Sequence, residues 1–187
     1  MLDASGIRDE NEVLGNRRPD PGCYHFVVTH VDDSMQKQVN AIVVTMQVLQ
    51  GVVADSRPIG PQIGRELSHM MFHDDQGQYT DKHLRFAVAT RLLQPGTAAD
   101  VDWQQAVGLQ CVATVESVVS KKDGKAYCNI ADYGLAIWHP LNPEVKNIPK
   151  DQESLKLLSN SGNASTETPP PPTAPPQSSG QDWSKVI

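Results

Sequence analysis

Lys121, Lys122 and Lys125 surround an Asp123-Gly124 pair, and Tyr127 follows shortly after. Lysine ammonium groups neutralise phosphates and release counterions, which makes binding salt-sensitive. A tyrosine between lysines offers a ring on which a base stacks, worth about 1–3 kcal/mol per base. Cation and ring together are the chemistry of single-stranded nucleic acid. Each also has a plainer use, since lysine suits a solvated hairpin tip and tyrosine can cover a sheet edge. Arg57 and Arg65 flank a later connection, and Lys37 lies in an earlier loop beside Asp32 and Asp33, which oppose phosphate there. Phe72 and Trp138 are further stacking candidates, although for Phe72, as for Phe86 and Trp103, burial in a core is the more ordinary use.

His69 and His73 in "HMMFH" share a face on either a strand or a helix. Zinc needs three or four ligands, and no CxxC, HExxH or comparable spacing supplies the rest. No metal or cofactor is therefore expected. No Walker-type loop, GxGxxG or GxSxG elbow is present, and the carboxylates form no ordered pair. No catalytic residue is assigned, and the expectation is a protein that is not an enzyme. Cys23, Cys111 and Cys128 are odd in number and lack CxxC spacing, as suits reduced, partly buried thiols.

Several elements must position these groups. Residues 1–20 read as a polar leader, and "RRPDPG" punctuates the start of the fold. "CYHFVVTHV" (23–31) reads as a strand, and "VNAIVVTMQVLQG" (39–51) as a second, closed by Gly51. Residues 62–77 hold a third strand ending in a turn, with Glu, Leu and Met keeping a helix open. "TDKHLRFAVATRLL" (80–93) predicts a helix capped by Thr80, with Leu84, Val88 and Leu92 as its apolar stripe and Ala87 beside them.

From 109 onward, Leu109, Cys111, Ala113 and Val115 alternate with Gln110, Val112, Thr114 and Glu116. Asp123-Gly124 predicts a two-residue hairpin turn. That turn pairs Lys122 with Lys125, Ser120 with Tyr127, and Val119 with Cys128. Paired residues share a face, so Val115, Val119, Cys128 and Ile130 would face the core and Lys122, Lys125 and Tyr127 the other side. Strand, strand, strand, helix, strand, strand is the order of an OB-fold. The expectation is a mainly β, OB-like five-stranded barrel spanning 21–150, with its helix between the third and fourth strands. A small α+β domain of other topology is the competitor.

The chain has 187 residues, is 39% hydrophobic and carries a formal charge of -6. An acidic balance argues against bulk attraction to nucleic acid, though the central body is close to neutral. No apolar run approaches the roughly 20 residues needed to span a bilayer, and no secretory signal is evident at the first residues. A cytoplasmic protein is expected. Residues 151–187 are rich in Pro, Ser, Thr and Asn, and read as a disordered tail. Its tip carries Asp182, Trp183, Val186 and Ile187, which are read as a partner-binding motif, with a merely solubilising tail as the alternative.

The segments "PGCYHFVVTHVDD", "AIVVTMQVLQG", "GRELSHMMFHDDQGQYTDKHLRFAVATRLL" and "GLQCVATVESVVSKKDGKAYCNI" resemble, in order, a phage-associated family of OB-like single-stranded-DNA-binding proteins. The resemblance covers roughly residues 20–140. It implies binding to DNA intermediates of replication or recombination, in the host cytoplasm if phage-encoded. The tail is similar in layout to the flexible tails with which bacterial single-stranded-DNA-binding proteins recruit replication and repair enzymes. It departs in having one acid, Asp182, beside Lys185, so a pocket for Trp183 fits better than a receptor that reads clustered acids. OB-fold binders often link several barrels, which keeps a homo-oligomer open. The alternative is an interaction or structural module on the same barrel with no affinity for nucleic acid.

Overall fold

The computed structural model describes residues 18–34, 40–121, 124, 126–131 and 136–161. Six strands form one antiparallel sheet: β1 (Gly22–Asp32), β2 (Ala41–Val53), β3 (Glu66–Phe72), β4 (Gln110–Val119), β5 (Ala126–Ile130) and β6 (Ile137–Trp138). Helix α1 (Asp81–Ala89) lies between β3 and β4 in the chain, and α2 (Gln152–Ser161) ends the described part. The sheet runs β3-β2-β1-β4-β5, with β6 also paired to β4. None of the described helices is long and apolar enough to cross a membrane.

The core lies on the face that holds Tyr24, Phe26, Met46, Leu67, Met71 and Val115, closed by Phe86 of α1 and by Trp103. β-branched and aromatic residues dominate β1 and β2, as a half-buried pleated surface favours. The region 62–77 is a strand over Glu66–Phe72, with Leu67 and Met71 inward and Met70 and Phe72 outward. Gly51 does not close the second strand but lies within it, at φ 152°. A Cβ there would stand 2.4 Å from the Cys23 carbonyl oxygen and 2.7 Å from the Tyr24 Cα, so the tight packing of β1 on β2 requires glycine.

The helix departs from its expected stripe. His83, Phe86, Ala87 and Ala89 face inward, while Leu84 is 53% exposed. The large Phe86 ring, packed beside His69 and Trp103, sets the rotation that Leu84 would otherwise set. The helix also stops four residues early. The Thr90 hydroxyl donates to the carbonyl oxygens of Phe86 and Ala87, and Arg91 turns to φ 64°.

The last hairpin is also different from the expected one. Val118 pairs with Tyr127, Ser117 with Cys128, and pairing ends at Val119–Ala126. The register is two residues away from that of a two-residue turn. Instead the Gly124 N–H donates to the Ser120 carbonyl at 2.9 Å, with Gly124 at φ 70°, which leaves six residues between the strands. A shift of two preserves facing, so Val115 and Ile130 are buried as expected, but Val119 is 63% exposed beyond the end of the core.

Residues 151–161, expected to begin the tail, instead hold α2 against the sheet. The Asp151 N–H donates to His25 Nδ1 at 3.1 Å, which places the histidine proton on Nε2, facing Gln110 Oε1 at 3.0 Å. Gln110 Nε2 donates to the Ser154 carbonyl at 2.9 Å, and Asp151 caps the helix by accepting the Ser154 N–H at 2.8 Å. His25 and Gln110 are thus buried polar residues with matched partners, as burial demands.

Candidate nucleic-acid interface

β3 and β5 are the two ends of the sheet path, and both line one groove of about 320 Å³. Leu67, His69, Met70 and Phe72 form one wall, and Tyr127, Asn129 and Ile130 the other, with Arg18 and Lys82 between them. A narrower continuation of about 40 Å³ shares His69, Lys82 and Ile130, and reaches Arg85 and Ile137. Arg18, Lys82 and Arg85 therefore mark the length of one track. Among the described residues no carboxylate lines either stretch, in a chain whose formal charge is -6.

Two rings give the track its second character. Phe72 is 53% exposed on the outward side of β3, so it is not the core residue its type also suited. Tyr127 is half-buried, and the Arg18 guanidinium lies 5.7 Å from its ring centroid. Lys82 and Arg85, three apart on α1, share a helix face. Both are exposed on the helix's outward side.

The remaining candidates lie elsewhere. Arg57 donates to Asp55 Oδ2 at 2.6 Å and to Asp20 Oδ2 at 3.1 Å. These carboxylates hold the guanidinium pKa above its usual value, and Arg57 in turn draws that of Asp55 down. Arg65 Nη1 lies 3.5 Å from Asp20 Oδ1 and donates to the Arg18 carbonyl at 3.0 Å. Neither arginine lines the groove. They are already neutralised and hold the chain just before β1. Trp138 pairs with Val112 and so shares the sheet face that carries His25, away from the groove walls. Lys121 is exposed beyond β4 and also lies off the groove. Lys37, Lys122, Lys125, Asp182, Trp183, Val186 and Ile187 fall outside the described residues.

The two histidines of "HMMFH" part company. His69 stacks on Phe86, with centroids 6.2 Å apart. His73 sits 4.7 Å from His83, beside Tyr79. His83 Nδ1 accepts the Thr80 N–H at 3.0 Å, so its proton is on Nε2, the wrong form for a metal ligand at that atom. Burial, with the His73 charge second, lowers the His83 pKa to about 4. Among the described residues, no three His, Cys, Asp or Glu side chains are grouped to hold a metal. The three cysteines are free, and burial raises the Cys111 thiol to about 12.

A second cleft, of about 510 Å³, lies at the other end of β1 and is lined by Asp33, Asp102, His73, Tyr79 and Trp103. Its carboxylates make it unsuitable for phosphate. No protein-family model, curated protein or solved structure matches the chain.

Sequence reasoning missed Arg18, Lys82 and Arg85. The faint signals were the Arg17-Arg18 pair ahead of Pro19 and the i, i+3 cations on the polar face of α1.

Proposed function

We propose that the protein is a non-enzymatic, OB-like single-stranded-DNA-binding protein, acting on intermediates of replication or recombination. The observation that carries this reading is the groove between β3 and β5, which collects Arg18, Lys82 and Arg85 with Phe72 and Tyr127 and admits no carboxylate among the described residues. Cations track a phosphate backbone, while rings exposed beside them stack unpaired bases without regard to sequence. A duplex hides its base faces and gains nothing from those rings. The strand order, the approach of β3 to β5 and the position of α1 between β3 and β4 in the chain all suit an OB-like barrel whose open seam holds the ligand. In this reading the Trp183 tip recruits other proteins.

The outward apolar pair Met70 and Phe72 favours the second reading, an interaction module that binds protein and no nucleic acid. Fluorescence anisotropy separates the two. A labelled single strand of about 30 nucleotides exceeds the footprint of one OB fold, and is titrated at low and moderate salt beside a matched duplex. Salt-dependent binding that prefers the single strand is expected. Failure to bind at low salt, with residues 162–187 deleted as a control, moves the assignment to the interaction module.

A further inference from the structure

We infer that Asp20, an acid, raises the affinity of the proposed groove for a polyanion, because it positions Arg18 over Tyr127. The inference rests on the single-strand reading and assigns a residue that touches no ligand. Asp20 is the centre of a closed set of contacts. Its carboxylate accepts from Gln62 Nε2 at 2.9 Å and Arg57 Nη2 at 3.1 Å, and faces Arg65 Nη1 at 3.5 Å. Its own N–H donates to Gln62 Oε1 at 2.9 Å, and its carbonyl accepts the Tyr24 hydroxyl at 2.8 Å. Arg65 then reaches past it to the Arg18 carbonyl at 3.0 Å. Gln62 and Tyr24 are buried, so these anchors belong to the core.

The consequence is mechanical. Arg18 stands two residues from Asp20, and its backbone is pinned by the same arginine that pairs with that carboxylate. Its guanidinium is thereby delivered to the groove wall, 5.7 Å from the Tyr127 centroid. A guanidinium held beside a ring binds a phosphate and stacks on a base in one posture, which a long free side chain adopts only at an entropic cost.

Electrostatics alone predicts the reverse. Replacing Asp20 by asparagine removes a negative charge and frees Arg65 from its carboxylate while Arg57 stays paired with Asp55, a change that should strengthen attraction to phosphate. Positioning predicts weaker binding, about three- to fivefold, the size of a lost cation–π and phosphate contact. Gln62→Ala removes the same anchor without changing charge and should weaken binding in the same direction.

The experiment measures single-strand affinity for the wild type, D20N, Q62A, R18A and the R18A/D20N double variant, each checked for folding by thermal melt. It also records the Tyr127 ring-proton NMR resonances of each free protein. D20N and Q62A should both weaken binding, and the double variant should bind no worse than R18A. D20N and Q62A should move the Tyr127 ring resonances as R18A does. A folded D20N or Q62A that binds as well as the wild type or better overturns the inference. If D20N does not fold, Q62A decides. If the wild type fails to bind, the single-strand reading has failed. The ring resonances then decide the positioning by themselves, because an unmoved Tyr127 in D20N or Q62A means that Asp20 does not place Arg18.

Discussion

Two parts of the sheet are treated by the chain in opposite ways. The outward face of β1 and β4 is covered by the segment leading into α2, and its polar groups are matched through His25, Gln110, Asp151 and Ser154. The gap between β3 and β5 is left open and is edged with Arg18, Lys82, Phe72 and Tyr127. One region is closed over by a later part of the chain and the other keeps an open channel lined by cations and rings. Exposure acquires functional meaning only by such contrast, since an exposed ring on a protein able to cover its sheet elsewhere is a retained feature. Substitutions at the covered face should therefore change stability and leave binding alone, and substitutions at the open groove should do the opposite.

The largest effect is expected in the groove. Phe72→Ala with Tyr127→Ala removes two stacking platforms and should weaken single-strand binding at least about tenfold, at about 1–3 kcal/mol per base. The melting temperature should scarcely move, and a large fall in it would erase the contrast between the regions. Next comes the covered face, where His25→Ala leaves Asp151 and Gln110 without their partner. It should lower stability by about 2–3 kcal/mol in denaturant unfolding while single-strand affinity holds.

The same clamp makes a prediction about pH. Burial, the largest influence, lowers the His25 pKa from 6.5, against the raising effects of Gln110 and Asp151, and Lys150 lowers it further. The unfolded chain takes up that proton first. The contribution to stability is therefore complete above 6.5 and is lost as pH falls below it toward the folded-state value. Protonated Nδ1 would also oppose the Asp151 N–H. The protection factors of the Asp151 and Ser154 amides, taken against intrinsic exchange at the same pH, should fall on acidification, and His25→Gln should flatten that dependence. A dependence that survives the substitution unchanged assigns it to other groups.

A smaller effect is expected along α1. Lys82→Gln with Arg85→Gln should reduce the slope of log affinity against log salt by about 1.4 for two phosphate contacts on a single strand. Smallest of all, Trp138→Ala and Lys121→Ala should each leave affinity within about twofold, the scale of surface substitutions away from a contact. A larger loss from either would extend the interface beyond the groove.

The strands were legible where one local pattern decided them. "CYHFVVTHV" and "AIVVTMQVLQG" contain the β-branched runs that became β1 and β2, and the core positions Val115 and Ile130 follow from alternation. Alternation misled elsewhere. Gln110 and Val112 alternate with the core residues of β4 but are themselves buried, and for Gln110 the reason is α2, which returns from far along the chain to meet it. The hairpin was misjudged because Asp-Gly is a strong local signal that yielded to a wider turn closed by Gly124 on Ser120. Of the residues singled out as candidates, only some were brought together by the fold. Tyr127 and Phe72 do line the groove. Their cations come from before β1 and from α1, and only the approach of two sheet ends joins them. Arg65 lies off the groove, paired with an Asp20 that is 45 positions away, whereas for Arg57 the local partner Asp55, two residues before it, was a signal that could have been read.

Thr114 is a knot in the ladder. Its carbonyl accepts the Ala131 N–H and its N–H donates to the Ala136 carbonyl, each at 2.9 Å. β5 and β6 thus meet the same edge of β4 at one residue. Ala131 and Ala136 also border the narrow end of the groove. A single residue of β4 thus holds two of the residues that line the track at that end, and a change in its backbone would move both together.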